Sequence, residues 1–249
     1  MIPTESSVLF QNPRPSGLIE RTVIRWLMRP VRVSAVTVLS AHFRFIDLEG
    51  EALKGCGWSV GQKIQIKLDG GLLTRTFTPL YWDEKRGSTR ILAYAHGCGP
   101  GSDWVRGAAP GTECQLFGPR RSMGLENLPS PIVLFGDETS FGLAAALQAR
   151  LNQSHEIRPV FEVSSLKESK PVLDNLGIDA DLIERRPDDG HWVTVMRVIE
   201  SLTDAATHFV LSGKAQSIQF VGRVLKQRGI PTRRLRAKAH WAPGKKGLD

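Results

Sequence analysis

Ile132-Val133-Leu134-Phe135-Gly136-Asp137-Glu138-Thr139-Ser140-Phe141-Gly142-Leu143 is the stretch whose reading decides the fold. Four apolar residues in a row, with no alternation, are what a strand covered on both faces requires. A short polar turn follows, and then Leu143, Leu147 and Leu151 recur at helical spacing. This reads as strand, turn and helix, the unit from which parallel sheets are built.

The same alternation continues downstream. Residues 158–163 read as a strand, 166–176 as a helix, 182–184 as a short strand and 193–202 as a helix. A last unit runs from His208 to Leu211 into Ser212-Gly213-Lys214, taken as a turn. Residues 216–228 then place Ile218, Val221 and Leu225 on one helix face before Gly229 and Pro231 stop it. The consequence is a parallel sheet with helices on both faces.

Upstream, Pro119, Pro129 and Pro131 mark residues 120–131 as a linker, and beyond it the pattern changes. Residues 31–119 consist of short alternating runs divided by Gly-bearing turns, the signature of an antiparallel sheet closing on itself. The strands expected are 31–39, 43–48, 62–68, 73–81, 89–95 and 112–117. Phe43, Phe45 and Leu48 are inward candidates, Ile64, Ile66 and Leu68 share one face, and Asp69-Gly70-Gly71 makes a turn. Residues 18–28 suit a short helix. The expected fold class is therefore a small antiparallel β-barrel followed by an α/β domain, and 249 residues suffice for both.

Composition narrows the function classes. Hydrophobic residues make up 41% and charged residues 23%, a globular balance. No apolar run approaches the roughly 20 residues of a membrane helix. Arg21, Arg25, Arg29 and Arg32 stud the N-terminal region where a secretory signal would be apolar, so a cytoplasmic location is expected. Cys56, Cys98 and Cys114 are too widely spaced for a thiolate metal clip, so redox chemistry must come from a bound cofactor. The net charge of +8 is local: residues 210–249 hold ten Lys or Arg against one acid, leaving 23 bases and 24 acids elsewhere. With only Phe220 and Trp241 as aromatics in that segment, nucleic acid is not the expected partner. The segment is either a solvated basic face or the mouth of a site for an anion.

Three segments have the residue types of a phosphate and planar-ring site. Arg75-Thr76-Phe77-Thr78-Pro79 offers a phosphate clamp, a stacking ring and hydroxyls. Strand alternation sends Arg75, Phe77 and Pro79 to one side and Thr76 and Thr78 to the other. The ordinary alternative is an edge-strand arginine beside a core phenylalanine. His96-Gly97-Cys98-Gly99-Pro100-Gly101-Ser102-Asp103-Trp104 can bring backbone N–H groups against a diphosphate, with Ser102 capping a helix that begins near Trp104. The same residues make a plain Gly-Pro turn. Gly136-Asp137-Glu138-Thr139 lies at the carboxyl end of the first parallel strand, where open α/β sheets hold nucleotides. It is also an ordinary acid-rich helix N-terminus.

Taken in order with Pro110-Gly111, Phe117-Gly118-Pro119-Arg120, Ser212-Gly213 and a terminal Trp241-x-x-Gly244, these motifs resemble the siderophore-interacting proteins of the ferredoxin reductase superfamily, over residues 18–249. The resemblance implies an FAD-binding barrel over residues 18–125. It implies an NAD(P)-binding-like domain over 130–249, ending in the basic segment. The implied activity is reduction of a ferric siderophore or other ferric chelate, with NADH or NADPH as donor, or a ferredoxin in their place. It places Arg75 on the FAD phosphate, Phe77 on the isoalloxazine ring, Thr78 at the reactive N5 edge as the catalytic residue, and Gly99, Pro100, Gly101 and Ser102 on the diphosphate. Thr76, His96, Trp104, Gly136, Asp137, Glu138, Thr139, Ser212 and Trp241 are further cofactor candidates, and Lys214, Lys245 and Lys246 are candidates for the substrate.

Three positions depart from the family pattern. Phe77 stands where a tyrosine is usual, Lys214 where glutamate commonly follows Ser-Gly, and His240 where an aromatic commonly precedes Trp241. Trp241 either covers the flavin or anchors the C-terminus. A flavin suits the implied reaction because a nicotinamide gives up two electrons as hydride whereas Fe(III) accepts one. Competing readings are a reductase for free flavin or for a partner protein, and a siderophore-binding protein without turnover.

Overall fold

The computed structural model describes residues 28–68, 73–150 and 156–244. The helix expected at 18–28, the turn at 69–71, Leu151, Lys245 and Lys246 therefore lie wholly or mainly outside the described residues.

Seven strands form the antiparallel sheet: β1 (Met28–Val38), β2 (Phe43–Glu49), β3 (Lys63–Lys67), β4 (Thr74–Phe77), β5 (Pro79–Asp83), β6 (Ser88–Tyr94) and β7 (Glu113–Arg120), in the order β4-β3-β7-β1-β2-β6-β5. The single strand expected over 73–81 is in fact two. It breaks at Thr78, and its halves form the two opposite edges of the sheet. The sheet is thus brought round on itself by the chain at Thr78 rather than by a further ladder of hydrogen bonds. The enclosed core holds Val33, Ile46, Leu48, Ile64, Ile66, Ile91 and Leu116, none exposed at all.

Phe43 and Phe45 do not join that core. They share the outer face of β2, and both belong to the cluster that includes the second domain. Inward pointing is the lot of Ile46 and Leu48, since a strand alternates its side chains. A single helix, α1 (Pro100–Gly107), crosses between β6 and β7.

The second domain is a parallel sheet of β8 (Ile132–Gly136), β9 (Ile157–Val163), β10 (Asp181–Glu184), β11 (His208–Lys214) and β12 (Leu235–Trp241), in the order β10-β9-β8-β11-β12. Helices α2 (Phe141–Arg150) and α3 (Leu166–Asn175) cover one face, and α4 (His191–Ser201) and α5 (Ala215–Gln227) the other. Within β8, Ile132 and Leu134 join the first pair while Val133 and Phe135 join the second, which is why the run shows no alternation. Two readings are corrected here. Ser212-Gly213-Lys214 is the end of β11, not a turn, and β12 is a strand within what reads as a basic tail.

The domains share one apolar cluster. Phe43 stacks on Phe141 with centroids 5.5 Å apart and planes 3° from parallel, and Phe141 meets Phe161 at 4.7 Å. The 120–131 linker adds buried Met123, Leu125 and Leu128 to the same cluster, so it is packed rather than solvated. Gly142 lies 3.6 Å, measured from an added Cβ, from the Thr78 carbonyl oxygen. Helix α2 therefore starts directly against the point where the antiparallel sheet turns its corner.

Candidate functional site

A cleft open to solvent lies at that junction. Its walls are Thr74–Thr78 from β4 and the corner, Leu92, Tyr94 and His96 from β6 and the loop after it, Cys98, Gly99, Gly101, Ser102 and Val105 from the glycine loop and α1, Thr139 and Gly142 from the start of α2, and His240, Trp241 and Ala242 from the end of β12. All three segments singled out in the sequence meet here.

The anion end is built from Arg75 and α1. Pro100 occupies the first helical position, which its fixed φ and missing N–H suit, so α1 starts at once after Gly99 rather than near Trp104. Ser102 is consequently inside the first turn. Its hydroxyl does not cap the helix but donates to the His96 carbonyl oxygen at 2.8 Å, tying the loop to the helix. Gly99 has φ 143°, a conformation that side chains rarely adopt. A Cβ on Gly101 would lie 2.8 Å from Arg75 Nε, so only glycine lets the guanidinium rest against the first helical turn. Among the described residues Arg75 has no carboxylate partner and a single hydrogen bond, to the Thr74 carbonyl oxygen at 2.8 Å. An uncommitted guanidinium beside the free N–H groups of a helix start is a donor set that fits a diphosphate.

The ring end is apolar and aromatic. Phe77 lines the cleft and its far side packs on Trp104 at 5.6 Å and 44°. Thr76 and Thr78 border the same cleft; within β4 the alternation holds, with Arg75 and Phe77 opposite Ile66 and Ile64 and Thr76 opposite Gln65, and it ends at Thr78, beyond the strand. Across the opening, Trp241 stacks on His96 at 5.2 Å with planes 30° apart. Desolvation holds the His96 pKa below the usual imidazole value.

Pro100 and Trp104 do not line this cleft; they face a separate hollow with Leu68, Gly107 and Ala108. Gly136, Asp137, Glu138, Ser212 and Lys214 are also absent from its walls. A Cβ on Gly136 would strike the Ser140 side chain at 2.6 Å, so this glycine serves the close turn. Asp137 is buried and accepts from the Thr139 N–H (2.9 Å), the Thr139 hydroxyl (2.5 Å), the Lys214 N–H (2.8 Å) and Trp241 Nε1 (2.7 Å). Burial pushes its pKa up to about 6, against the bonds from Thr139 and Trp241. Glu138 is buried too, takes both its oxygens to Arg185 at 2.8 Å and accepts from the Ser164 N–H at 2.5 Å. Both acids thus hold the protein together beneath the cleft instead of facing a ligand. Lys214 is the register partner of Trp241 across β11 and β12, one strand away from the cleft's rim.

Tyr94 is a wall residue that motif reading missed. Strand alternation back from His96 would have found it, since Leu92, Tyr94 and His96 occupy every second position. Its hydroxyl is 3.4 Å from both Glu138 and Ser164, and burial followed by the Glu138 charge raises its pKa to about 12.

Comparison with known proteins agrees with this geometry. Residues 62–123, which contain β3 to β7 with the Arg75–Pro79 and His96–Trp104 segments, match the siderophore-interacting FAD-binding domain. No curated protein sequence matches. Among solved structures, a siderophore utilization protein from T. fusca superposes with a TM-score of 0.73 at 23% identity, over 89% of this chain and 95% of the other. The siderophore-interacting protein SipS of Aeromonas hydrophila gives 0.72 at 20% identity, over 88% and 93%. The flavohem-like FAD/NAD binding domain of nitric oxide dioxygenase from Vibrio cholerae gives 0.68 at 19%, over 87% and 100%. At these identities the likeness is one of fold: an antiparallel-sheet domain followed by a parallel-sheet domain with helices on both faces.

Proposed function

We propose that the protein is an FAD-dependent oxidoreductase that takes electrons from NADH or NADPH and reduces ferric siderophores to the ferrous state in the cytoplasm. One observation carries the reading: the wall formed by Arg75–Thr78, the glycine loop and Trp241 sits at the junction of the two domains, inside a chain whose residues 62–123 match the siderophore-interacting FAD-binding domain. Arg75 and the start of α1 hold the diphosphate, Phe77 backs the flavin ring, and the Thr78 hydroxyl serves the ring's N5 edge. Bound FAD supplies the conversion between a hydride donor and a one-electron acceptor, so that one NAD(P)H and two Fe(III) give NAD(P)+, two Fe(II) and a proton. Fe(II) is held less tightly than Fe(III) by the hard oxygen ligands of a siderophore, and reduction thereby releases the metal. Lys214, opposite the rim residue Trp241, favours an anionic chelate, and Lys245 and Lys246 add positive charge to the same segment of the chain.

The test is reconstitution with excess FAD, removal of free flavin, and anaerobic addition of NADH or NADPH followed by a ferric siderophore. The flavin is expected to bleach with the nucleotide and recover with the iron chelate. Arg75→Ala should lower FAD retention about tenfold or more, as loss of a charge-assisted bond of about 1.5–3 kcal/mol requires. A wild-type protein that stays colourless after reconstitution overturns the flavoenzyme reading, and bleaching without reoxidation by any ferric chelate overturns the substrate.

A further inference from the structure

The bond between Asp137 and Trp241 is not explained by holding up the sheet alone. Trp241 is the last residue of β12, half-buried, with its ring on His96 from the antiparallel domain and its Nε1 donating 2.7 Å to Asp137 Oδ2 in the parallel domain. The indole therefore spans the two domains across one wall of the cleft. The carboxylate that holds it is placed with unusual exactness. Gly213 has φ 108°, and a Cβ there would lie 2.6 Å from Asp137 Cγ. Glycine at 213 is what allows an acid to sit beneath the end of β11 and reach β12. From that point the one side chain links the ends of β8, β11 and β12 and fixes two cleft residues, Thr139 and Trp241. A buried carboxylate is costly, and a neutral asparagine or serine caps a helix start as well. What the charge adds is a stronger hold on the indole N–H.

We infer that Asp137 is a positioning residue which latches Trp241 as a closed wall of the cleft, limiting the access of a second planar ring. The inference rests on the proposed function for the identity of that ring, a nicotinamide. The latch itself is a property of the protein without cofactor.

The experiment is a double-mutant cycle of Asp137→Asn and Trp241→Phe with two readouts. In cofactor-free protein, acrylamide quenching of fluorescence reads all six tryptophans, and the difference between the wild-type and Trp241→Phe backgrounds isolates the exposure of Trp241. Asp137→Asn is expected to shift the closed-to-open ratio of Trp241 toward open by about tenfold, raising quenching, and to change nothing when Trp241 is already phenylalanine. In FAD-loaded protein, Asp137→Asn should lower the KM for the nicotinamide nucleotide with less effect on kcat. Trp241→Phe, which removes the indole N–H and leaves the other three bonds to Asp137 in place, should do the same alone, and the double variant should go no further. The latch is overturned if Asp137→Asn leaves quenching unchanged, if its quenching change persists in the Trp241→Phe background, or if Trp241→Phe leaves the KM unaltered. Should no nucleotide reduce the flavin in any of the four proteins, the proposed donor falls, and the quenching cycle still decides the latch.

Discussion

Asp137 shows how one residue can serve position at the expense of stability. Its pKa stands at about 6, raised by burial, with the neighbouring Glu138 charge adding to the rise and Thr139, Trp241 and Arg185 opposing it. An unfolded aspartate titrates near 3.9, so between these values the folded protein holds the proton more tightly than the unfolded chain. The stabilising contribution is therefore complete below about pH 3.9 and is lost as pH rises through about 6, a change of roughly 3 kcal/mol. Asparagine at this site is neutral throughout. Thermal or urea unfolding of wild type and Asp137→Asn from pH 4 to 8 should thus show the wild type losing stability relative to the variant as pH increases. A difference that is flat, or that grows in favour of the wild type, would show that the bonds to the carboxylate outweigh its desolvation. None of this could be read from Gly136-Asp137-Glu138-Thr139 as a sequence. Its position at a strand's carboxyl end was legible, but the direction in which Asp137 faces depends on Gly213 and Trp241, 76 and 104 residues away. The acid-rich helix start, the plainer of the two readings, describes Asp137 and Glu138 better than nucleotide contact does.

At the scale of elements, the strand and helix periods were legible wherever packing is local, and failed where tertiary context decides. Ile132–Phe135 and the Leu143, Leu147 pair carried their own pattern because both faces of β8 and one face of α2 are apolar. The break at Thr78 has one mark, Pro79, which opens β5 and cannot donate to a ladder, but the alternation running through it reads as a single strand. β12 was hidden for another reason. Arg236, Lys238 and His240 alternate with Ala237, Ala239 and Trp241, and at the edge of the sheet only Leu235 and Ala239 pack on the core while Ala237 is exposed, so little apolar pattern marks the strand. Phe43 and Phe45 were legible as buried but not as facing a second domain, because alternation gives two faces without saying what covers each. The junction they form with Phe141 yields a prediction. Phe141→Ala removes a fully buried ring from a stack shared by both domains, and should cost about 3–5 kcal/mol. Because that ring bridges the domains, calorimetry should show the single cooperative transition of the wild type separating into two. A variant that melts as one unit at lower temperature would mean that Met123, Leu125 and Leu128 hold the domains together without it.

Across the whole molecule, charge is as unevenly distributed in space as it is along the chain. Arg233, Arg234, Arg236 and Lys238 lie before or along the edge strand β12, which ends at Trp241 and the cleft, and none has an ion-pair partner among the described residues. Several arginines elsewhere are ion-paired, among them Arg90 with Asp47, Arg185 with Glu138 and Arg228 with Glu200. A one-sided row of unpaired cations leading to a cleft raises the local concentration of an anionic ligand and speeds its arrival, which is an effect of long range and therefore sensitive to salt. Beyond a Debye length of about 8 Å at 0.15 M, exposed charges are screened. Reduction of an anionic ferric tris-catecholate should slow as ionic strength rises, while reduction of a neutral ferric hydroxamate should hold nearly constant. Replacing Lys214, Lys245 and Lys246 with glutamine should reproduce part of the loss at low salt and leave flavin reduction by the nucleotide nearly unchanged if the charges act on the chelate alone. Stopped-flow rates for the two chelates, taken across a salt series, separate this from a merely solvated basic face, for which both chelates would respond to salt alike.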